Sequence, residues 1–187
     1  MTERDRMLAG EPYDASDPEL VAARHDARRL TQRLNALDPD ELEERAALVG
    51  ELLGAVGAGT WVETPFYCDY GTNTRLGARV YLNIGCILLD AAAITLADDV
   101  QLGPAVQLLT SDHPRDAAQR ADGLESARPI SIGARAWLGG GVIVLPGIEI
   151  GHDTIIGAGS VVTRSVGPGL VAAGNPCSVI KGAPERP

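Results

Sequence analysis

Residues 129–166 read PISIGARAWLGGGVIVLPGIEIGHDTIIGAGSVVTRSV, with a branched aliphatic residue at every sixth position. In five of these six hexads the next residue is glycine or threonine, and Leu145 is the exception. The aliphatic positions of this stretch are Ile132, Leu138, Val144, Ile150, Ile156 and Val162. The same spacing occurs upstream, in one block at Leu76, Leu82 and Leu88 and in another at Leu96, Leu102 and Leu108.

A period of six fits neither an α-helix, with a period of roughly 3.6 residues, nor a two-sided strand, with a period of roughly 2. It fits a coil of three short flat sides, in which each hexad forms one side and its aliphatic residue points into a triangular prism. Stacked coils pair through parallel backbone hydrogen bonds and share one core. The repeats therefore predict a mainly β chain, folded as a parallel β-helix of hexapeptide repeats.

The first 57 residues lack this period and predict helices. Asp17-Pro18-Glu19 combines a helix cap, a first-turn proline and an acid, and predicts a helix to about Ala36. Asp38-Pro39-Asp40-Glu41 predicts the start of a second helix, with Glu41 in the capping-box position. Its apolar stripe would be Leu42, Leu48, Val49, Leu52 and Leu53, ending at Gly54 or Gly57. We therefore divide the chain into an N-terminal helical segment, 1–57, and a β-helix domain, 58–187.

One excursion interrupts the repeats. They stop after His113 and resume at Pro129, and the intervening residues 114–128, PRDAAQRADGLESAR, are polar and without a period. A long excursion from a regular solenoid is usually functional, although a surface insertion without chemistry is the alternative. Of the three histidines, His25 falls on a predicted helix, and His152 falls on an ordinary turn of the repeats. Only His113 stands where a coil ends and the excursion begins.

Composition limits the possible partners. The net charge of −9 disfavours nucleic acid as the main partner, although a local basic patch for a phosphorylated cofactor remains compatible with it. The three cysteines are scattered without metal-ligand spacing, which favours reduced thiols and no metal. No apolar run reaches the ~18 residues of a membrane span, and the N-terminus has no apolar signal core. We expect a cytoplasmic protein without a membrane partner.

Several motifs together resemble the maltose and galactoside O-acetyltransferases of the hexapeptide-repeat family, most of all the maltose branch. They include MLAGEPYDASDPEL (7–20), WVETPFYCDYGTNTRLG (61–77), YLNIGCILLD (81–90) and TSDHPRD (110–116), followed by nearly the whole C-terminal repeat region. The resemblance implies a left-handed β-helix, acetyl-CoA as donor and a maltose- or glucose-type sugar as acceptor. It also implies a homotrimer with the cofactor between neighbouring prisms, so that His113 of one subunit faces Trp137 of another. The N-terminal segment would lie on the acceptor side.

Acetyl transfer from a thioester to a hydroxyl requires a base and hydrogen-bond donors for the developing oxyanion. Histidine suits the first task near neutral pH, and in the family the residue matching His113 is the base. Glu125 stands where maltose-type members carry a glutamate, which implies that it orients His113 or contacts the sugar; a solvated loop carboxylate is the alternative. Asp112 is a competing orienter, although strand alternation would point it away from His113.

The resemblance also implies the acceptor contacts. Asn83 would hydrogen-bond the acceptor hydroxyl, with Tyr81 of the same YLNIG motif beside the sugar. Asp69 would contact the sugar, and because the galactoside branch has serine there, this residue favours the maltose-type reading. Asp14 and Arg24 complete the set from the N-terminal segment. On spacing alone, however, Arg24 and the other arginines of its helix favour a solvated basic face.

Seven residues are implied along coenzyme A: Trp137, Gly140, Ala158, Thr163, Arg164, Ser178 and Lys181. The backbone N–H of Gly140 would face the thioester carbonyl, although the Gly139-Gly140-Gly141 run also suits the small corner positions of the repeats. Lys181 is the only lysine and would meet the adenosine 3′-phosphate. Ser178 stands where the galactoside branch has arginine, so this phosphate site has one charge fewer.

Other classes of protein also contain hexapeptide repeats. A γ-type carbonic anhydrase needs three histidines around zinc, and here only His113 has a suitable position. A non-catalytic hexapeptide scaffold would keep the coils without a histidine-bearing excursion. Among acetyltransferases, the acceptor hydroxyl could instead belong to a galactoside, a lipo-oligosaccharide or an antibiotic. The sequence leaves this choice of acceptor open.

Overall fold

The computed structural model describes residues 1–182, so residues 183–187 of the expected β-helix domain lie outside it. The helices are α1 (Glu3–Ala9), α2 (Pro18–Asn35), α3 (Leu42–Leu52) and α4 (Ala117–Ala121). The strands are β1 (Tyr13–Asp14), β2 (Ala55–Val56), β3 (Trp61–Val62), β4 (Tyr67–Cys68), β5 (Thr74–Leu76), β6 (Tyr81–Leu82), β7 (Ile87–Leu89), β8 (Ile94–Leu96), β9 (Gln101–Leu102), β10 (Gln107–Leu109), β11 (Ser111–Asp112), β12 (Leu124–Ala127), β13 (Ile130–Ile132), β14 (Trp137–Leu138), β15 (Ile143–Val144), β16 (Glu149–Ile150), β17 (Ile155–Ile156), β18 (Val161–Val162), β19 (Leu170–Ala173) and β20 (Ser178–Gly182).

Three sheets form the sides of a prism, and the chain visits them in turn. The first face contains β2, β5, β8, β13 and β16; the third face contains β4, β7, β10, β15 and β18. The second face contains β3, β6, β9, β14, β17 and β19, all parallel, with β20 added antiparallel at its end. Neighbouring coils pair in register, as where Leu88 of β7 lies between Cys68 of β4 and Leu108 of β10. The predicted parallel β-helix is confirmed.

The aliphatic residue of every predicted hexad lies in the shared core, and none of the twelve is more than 3% exposed. Glycine beside the aliphatic residue has a steric reason. A Cβ on Gly139 would lie 2.6 Å from the backbone nitrogen of Ala158 in the next coil. The corners are therefore too tight for a side chain, as the small residues of the hexads indicate.

The N-terminal segment follows the prediction in part. Helix α2 is capped by Asp17, which accepts a hydrogen bond from the Glu19 N–H at 2.9 Å. The second helix was placed too early, since it begins at Leu42. The Asp38 N–H does donate to the Glu41 carboxylate at 3.1 Å, which is one half of the expected capping box, but this bond closes a turn that precedes the helix. Leu42 is also wrong as a core residue, since it is 54% exposed. The other members of its stripe, Leu48, Val49, Leu52 and Leu53, are buried.

Helix α1 was not predicted, although the sequence contains its start signal. Thr2 and Asp5 form a reciprocal capping box, in which each side chain accepts from the backbone N–H of the other residue. Met7 then buries its side chain beside the first coils. No helix in the range 1–182 has both the length and the apolar character needed to cross a membrane.

The excursion folds back on itself. Strand β11 pairs antiparallel with β12, where Ser111 lies opposite Ala127, and β1 from the N-terminus pairs with the other edge of β12. The short helix α4 forms the far end of the excursion. We call the β1–β12–β11 sheet the clamp, because it fastens the N-terminal segment to the excursion.

Candidate active site

A cavity of about 220 Å³ lies between the clamp, helix α2 and the corner that joins the third face to the first. We call it the polar cavity. It brings together Arg24, Asp69 and Glu125, three of the residues expected to serve the acceptor. The remaining lining residues are Tyr13, Ala15, Arg28, Tyr70, Ala91 and Ser111.

Arg24 does not lie on a solvated basic face. Its Nη1 donates to the Tyr70 hydroxyl at 2.7 Å, and its Nη2 donates to the Ala15 carbonyl at 2.7 Å. The guanidinium carbon lies 5.7 Å from the centroid of the Tyr70 ring. The arginine run of α2 is thus divided: Arg24 and Arg28 line the cavity, while Arg29 pairs with an acid of its own helix. The periodicity of α2 does not distinguish these arginines, because the clamp decides which side is covered.

Asp69 lies in the wall of the polar cavity, half-buried. Burial raises the pKa of its carboxyl above the ordinary value, and the neighbouring Asp90 raises it further, while Arg24 opposes the change. Asp69 therefore faces the cavity as a carboxylate that takes up a proton at higher pH than a solvated aspartate does. A buried acid of this kind is well suited to bind a polar group that replaces its lost water.

The turn that carries Asp69 and Tyr70 is held by the fully buried Asp90. Burial raises the pKa of Asp90, while the hydrogen bonds it accepts oppose that shift. Its carboxylate accepts from the backbone N–H of Tyr70 at 2.8 Å, of Gly71 at 3.1 Å and of Asn73 at 3.2 Å, and from the Thr74 hydroxyl at 3.2 Å. These bonds fix the backbone of one cavity wall.

Glu125 contacts a residue that the sequence did not indicate. The Tyr13 hydroxyl donates to Glu125 Oε2 at 2.9 Å, and the two residues lie opposite each other in the clamp. Tyr13 is 1% exposed; its burial, together with the negative charge of Glu125, raises the pKa of the phenol. The carboxylate is thus held by Tyr13 rather than by His113.

His113 follows β11 at the base of the excursion, two residues beyond Ser111 of the cavity wall. Its backbone N–H donates to Asp112 Oδ1 at 2.9 Å, whereas its side chain is exposed. Within residues 1–182 the imidazole makes no hydrogen bond or ion pair with another residue. The Asp112 carboxylate turns instead to Arg115 at 3.2 Å and Arg128 at 3.6 Å, in agreement with the alternation argument.

The other expected acceptor residues lie across the third face from the polar cavity. Asn83 is half-buried at the corner between the second and third faces, where its Oδ1 accepts from the Ile84 N–H at 2.8 Å. Tyr81 lies on the second face and donates to Glu63 at 3.2 Å. Asp14 is exposed and outside the cavity lining; its hydrogen bonds from Ser16 lower the pKa of its carboxyl.

The expected cofactor residues are spread over the second face, its corner with the third face, and the corner between the third and first faces. Trp137, 51% exposed, lies on the second face in the same outward column as Tyr81, separated from it by Gln101. Gly140 occupies the same corner as Asn83 two coils further on, and its carbonyl accepts from the Gly159 N–H at 2.9 Å. Among the described residues, the Gly140 N–H has no acceptor. A backbone donor is therefore available at this corner.

The side chains of the remaining cofactor candidates are all exposed. Ala158 lies on the Gly140 corner, in the next coil. Thr163 and Arg164 follow β18 at the corner between the third and first faces, and Ser178 and Lys181 lie on β20. A cluster of three or more His, Cys, Asp or Glu side chains placed to share a metal ion does not occur in residues 1–182.

Tyr13, Arg28, Tyr70 and Ser111 line the cavity but were not expected as site residues. Tyr13 belongs to the GEPYD motif and Tyr70 follows Asp69, so both stand inside motifs that carry the resemblance. Spacing gives no sign that either reaches a cavity, because their partners come from distant parts of the chain.

The fold defines a β-solenoid of hexapeptide repeats, with the polar cavity at one of its corners. The chain matches the family model of the maltose acetyltransferase hexapeptide capping motif over residues 6–57 and that of the bacterial transferase hexapeptide, six repeats, over residues 129–164. It is 46% identical to Nodulation protein L of Rhizobium meliloti (strain 1021), over 95% of this chain and 97% of that protein.

Two solved structures are closely similar to the structure of this chain. A maltose O-acetyltransferase from Clostridium difficile 630 has 45% identity and a TM-score of 0.97, covering 99% of both chains. A galactoside acetyltransferase in complex with coenzyme A has 36% identity and a TM-score of 0.94, covering 97% of this chain and 91% of that one. The chain belongs to the hexapeptide-repeat sugar O-acetyltransferase family, as its motifs indicated, and it is an acetyltransferase.

Proposed function

We propose that the protein transfers an acetyl group from acetyl-CoA to a hydroxyl of a maltose- or glucose-type sugar. The polar cavity carries this proposal, because it offers a cation, a carboxylate and phenol groups within one small space. A sugar presents hydroxyls that both donate and accept hydrogen bonds, and Arg24, Asp69 and Tyr70 can pair with both kinds. The 45% identity to a maltose O-acetyltransferase supports this acceptor class.

His113 is the proposed general base. It stands at the end of the coil beside the cavity, and its exposed imidazole is not engaged by another residue of the described chain. The imidazole takes the proton of the acceptor hydroxyl as the oxygen attacks the thioester carbonyl carbon. The carbon–sulfur bond then breaks, and the proton passes from the imidazolium to the departing thiolate. The Gly140 N–H would hold the negative charge that develops on the carbonyl oxygen.

The cofactor path proposed for coenzyme A follows the second face. Exposed Trp137 offers an aromatic surface for the pantetheine chain, and Lys181 on β20 of the same sheet offers a cation for phosphates. Arg164, at the corner between the third and first faces, would reach the phosphates from a neighbouring subunit. The galactoside acetyltransferase that was solved with coenzyme A supports the same donor here. The three cysteines are unpaired, which fits the proposed cytoplasmic location.

A homotrimer is part of the proposal, because the two halves of the site lie at opposite edges of the third face. His113 and Asp69 stand at one edge, and Asn83 and Gly140 stand at the other. The width of a whole face separates the two halves within one prism, which favours a site shared between two prisms. A head-to-tail contact that closes into a ring would bring one edge of a prism to the other edge of its neighbour.

The outward columns of the faces support such a contact. The first face is polar, with Arg75, Thr95, Ser131 and Glu149 in register. The other two faces are largely apolar. The second displays Trp61, Tyr81, Gln101, Trp137, Ile155 and Val171, and the third displays Tyr67, Ile87, Gln107, Ile143 and Val161. Apolar faces of this kind favour burial against another copy.

Two experiments test the proposal. The first follows acetyl-CoA consumption over maltose, glucose, a thiogalactoside, a lipo-oligosaccharide and an aminoglycoside. Turnover with maltose or glucose above the other acceptors is the expected result. Activity on thiogalactosides with none on maltose or glucose would overturn the maltose-type assignment.

The second experiment unfolds and refolds an equal mixture of His113→Ala and Asn83→Ala chains. In random trimers about a quarter of the interfaces pair an intact His113 with an intact Asn83. Activity should therefore return to roughly that fraction of the wild-type value, although each variant alone is nearly inactive. A site formed within one chain predicts no recovery.

A further inference from the structure

Arg45 of helix α3 is a buried cation outside the polar cavity. The residue is 5% exposed, and its guanidinium carbon lies 5.2 Å from the centroid of the Trp61 ring. Its Nη1 donates to the Val62 carbonyl at 3.3 Å and to the Thr64 hydroxyl at 3.5 Å. Its Nε is buried without a hydrogen-bond partner, and no carboxylate in residues 1–182 forms an ion pair with it.

A second cavity, of about 200 Å³, lies directly against this arginine, between α3 and the first coil. We call it the Arg45 cavity. Ala46, Val49, Val56 and Val62 contribute apolar walls, and Trp61 contributes an aromatic one. The Arg45 cavity has no lining residue in common with the polar cavity. The proposed acetyl transfer therefore gives it no role.

A buried cation without a counter-charge is costly, and an anion bound beside it removes that cost. The planar guanidinium is suited to carboxylate geometry, since its N–H groups can meet two oxygens side by side. The apolar walls suit an alkyl tail. A liquid water occupies about 30 Å³, so the cavity has room for roughly six heavy atoms.

We propose that the Arg45 cavity binds a short-chain monocarboxylate of the size of butyrate. The carboxylate pairs with the edge of the Arg45 guanidinium that lines the cavity, and the alkyl chain lies among the valines and the Trp61 ring. Since Arg45 belongs to α3 and the other wall belongs to the first coil, the ligand joins the helical segment to the solenoid. Binding should therefore stabilise the folded protein in proportion to ligand concentration.

The test titrates the full chain with sodium butyrate at constant ionic strength, by calorimetry and by thermal unfolding. We expect one saturable site per chain, with a dissociation constant on the order of 1–10 mM, as befits so small a ligand. Butyramide and 1-butanol, which have similar size but no charge, should bind at least tenfold more weakly. Equal binding of butyrate and 1-butanol would overturn the proposal. So would the absence of saturable butyrate binding at concentrations about tenfold above the expected dissociation constant.

Variants locate the site. Arg45→Met keeps the length of the side chain and removes its charge, and should weaken butyrate binding at least tenfold. Arg29→Met, an exposed arginine of α2, is the matched control and should leave the affinity unchanged. Ala46→Leu fills the cavity from an exposed helix position, so it tests the site even if Arg45→Met fails to fold. Unchanged butyrate affinity in Ala46→Leu would show that the ligand binds elsewhere.

Discussion

The solenoid and the clamp are built by opposite means. In the solenoid each strand pairs with the equivalent strand of the next coil, usually about twenty residues along the chain and 36 where the excursion intervenes. The same hexad pattern repeats the contact. In the clamp, Tyr13 meets Glu125 across 112 residues of sequence, and no repeat specifies the pairing. The periodic part supplies a rigid core, and the single non-periodic crossing brings Tyr13, Ser111 and Glu125 to the polar cavity. Substitutions in the two regions should therefore have different consequences.

The largest expected effect is the loss of turnover in His113→Ala. A positioned base contributes a factor of ~10²–10⁴, so turnover should fall by at least two orders of magnitude. The side chain is exposed, so the melting temperature and the affinity for acetyl-CoA should remain nearly unchanged. Steady-state kinetics and calorimetry measure the three quantities. His152→Ala, at an exposed turn of the solenoid, is the control, and His113→Ala with more than a tenth of wild-type turnover would exclude the general base.

Leu102→Ala tests the solenoid, because it should lower stability and leave turnover unchanged, the reverse of His113→Ala. Leu102 is 1% exposed in the shared core, and truncating such a residue costs about 2–5 kcal/mol of unfolding free energy. Urea denaturation measures the loss, while kcat of the folded fraction should stay near the wild-type value. Thr95→Ala, on the exposed first face, should change the free energy by less than about 0.5 kcal/mol. Equal losses in both variants would contradict the core assignment.

Tyr13→Phe tests the clamp with a smaller expected effect. The change removes the hydrogen bond to Glu125 and leaves the ring in place, so stability should fall by about 1 kcal/mol. Because Glu125 then loses its fixed position, KM for the acceptor should rise several-fold, with KM for acetyl-CoA unchanged. The solenoid provides the control, Thr154→Val, which also removes one hydrogen bond, from its hydroxyl to the Gly167 carbonyl at 2.8 Å, and should leave both KM values unchanged. If both KM values rose together in Tyr13→Phe, the clamp would not be acceptor-specific.

The smallest expected effect is a pH dependence from Asp69. Burial raises the pKa of this carboxyl in the folded protein, so the folded state holds the proton more tightly than the unfolded state does. The contribution of Asp69 to stability therefore decreases as pH rises from the ordinary aspartate pKa through the raised value. Asp69→Asn removes this term.

The melting temperature of Asp69→Asn relative to wild type should accordingly increase over that pH interval and then level off. Thermal unfolding across a pH series measures the difference. Asp14→Asn is the comparison, because hydrogen bonds lower the pKa of Asp14 and its difference should have the opposite sign. A constant difference for Asp69→Asn at every pH would contradict the raised pKa.

Sequence patterns predicted the repeated part of the fold most fully. The hexad spacing identified the core positions, and the Asp17 cap located α2. The start of α3 was wrong, because the Asp38–Glu41 half of the expected capping box closes a turn before the helix instead of capping the helix itself. Helix α1 was missed although Thr2 and Asp5 carry its signal. Local hydrogen bonds decide where a helix begins, and several local arrangements compete for the same few acidic side chains.

The candidate site shows the limit of the same reasoning. Family motifs pointed to Arg24, Asp69 and Glu125, and the polar cavity contains all three. Motifs alone did not indicate that Tyr13 holds Glu125, or that Arg24 leaves the solvated face to contact Tyr70. These contacts join β1, α2 and the excursion, segments whose meeting depends on how the whole chain folds.

The sequence by itself determined the prism, because a period of six repeats one local geometry at every coil and each coil pairs with its neighbour. It also determined the position of His113 at the end of a coil and the family to which the chain belongs. Tertiary structure alone decided the clamp, the polar cavity and the buried Arg45, since each depends on one pairing between distant segments. A repeated contact leaves a pattern in the sequence, whereas a contact made once leaves none.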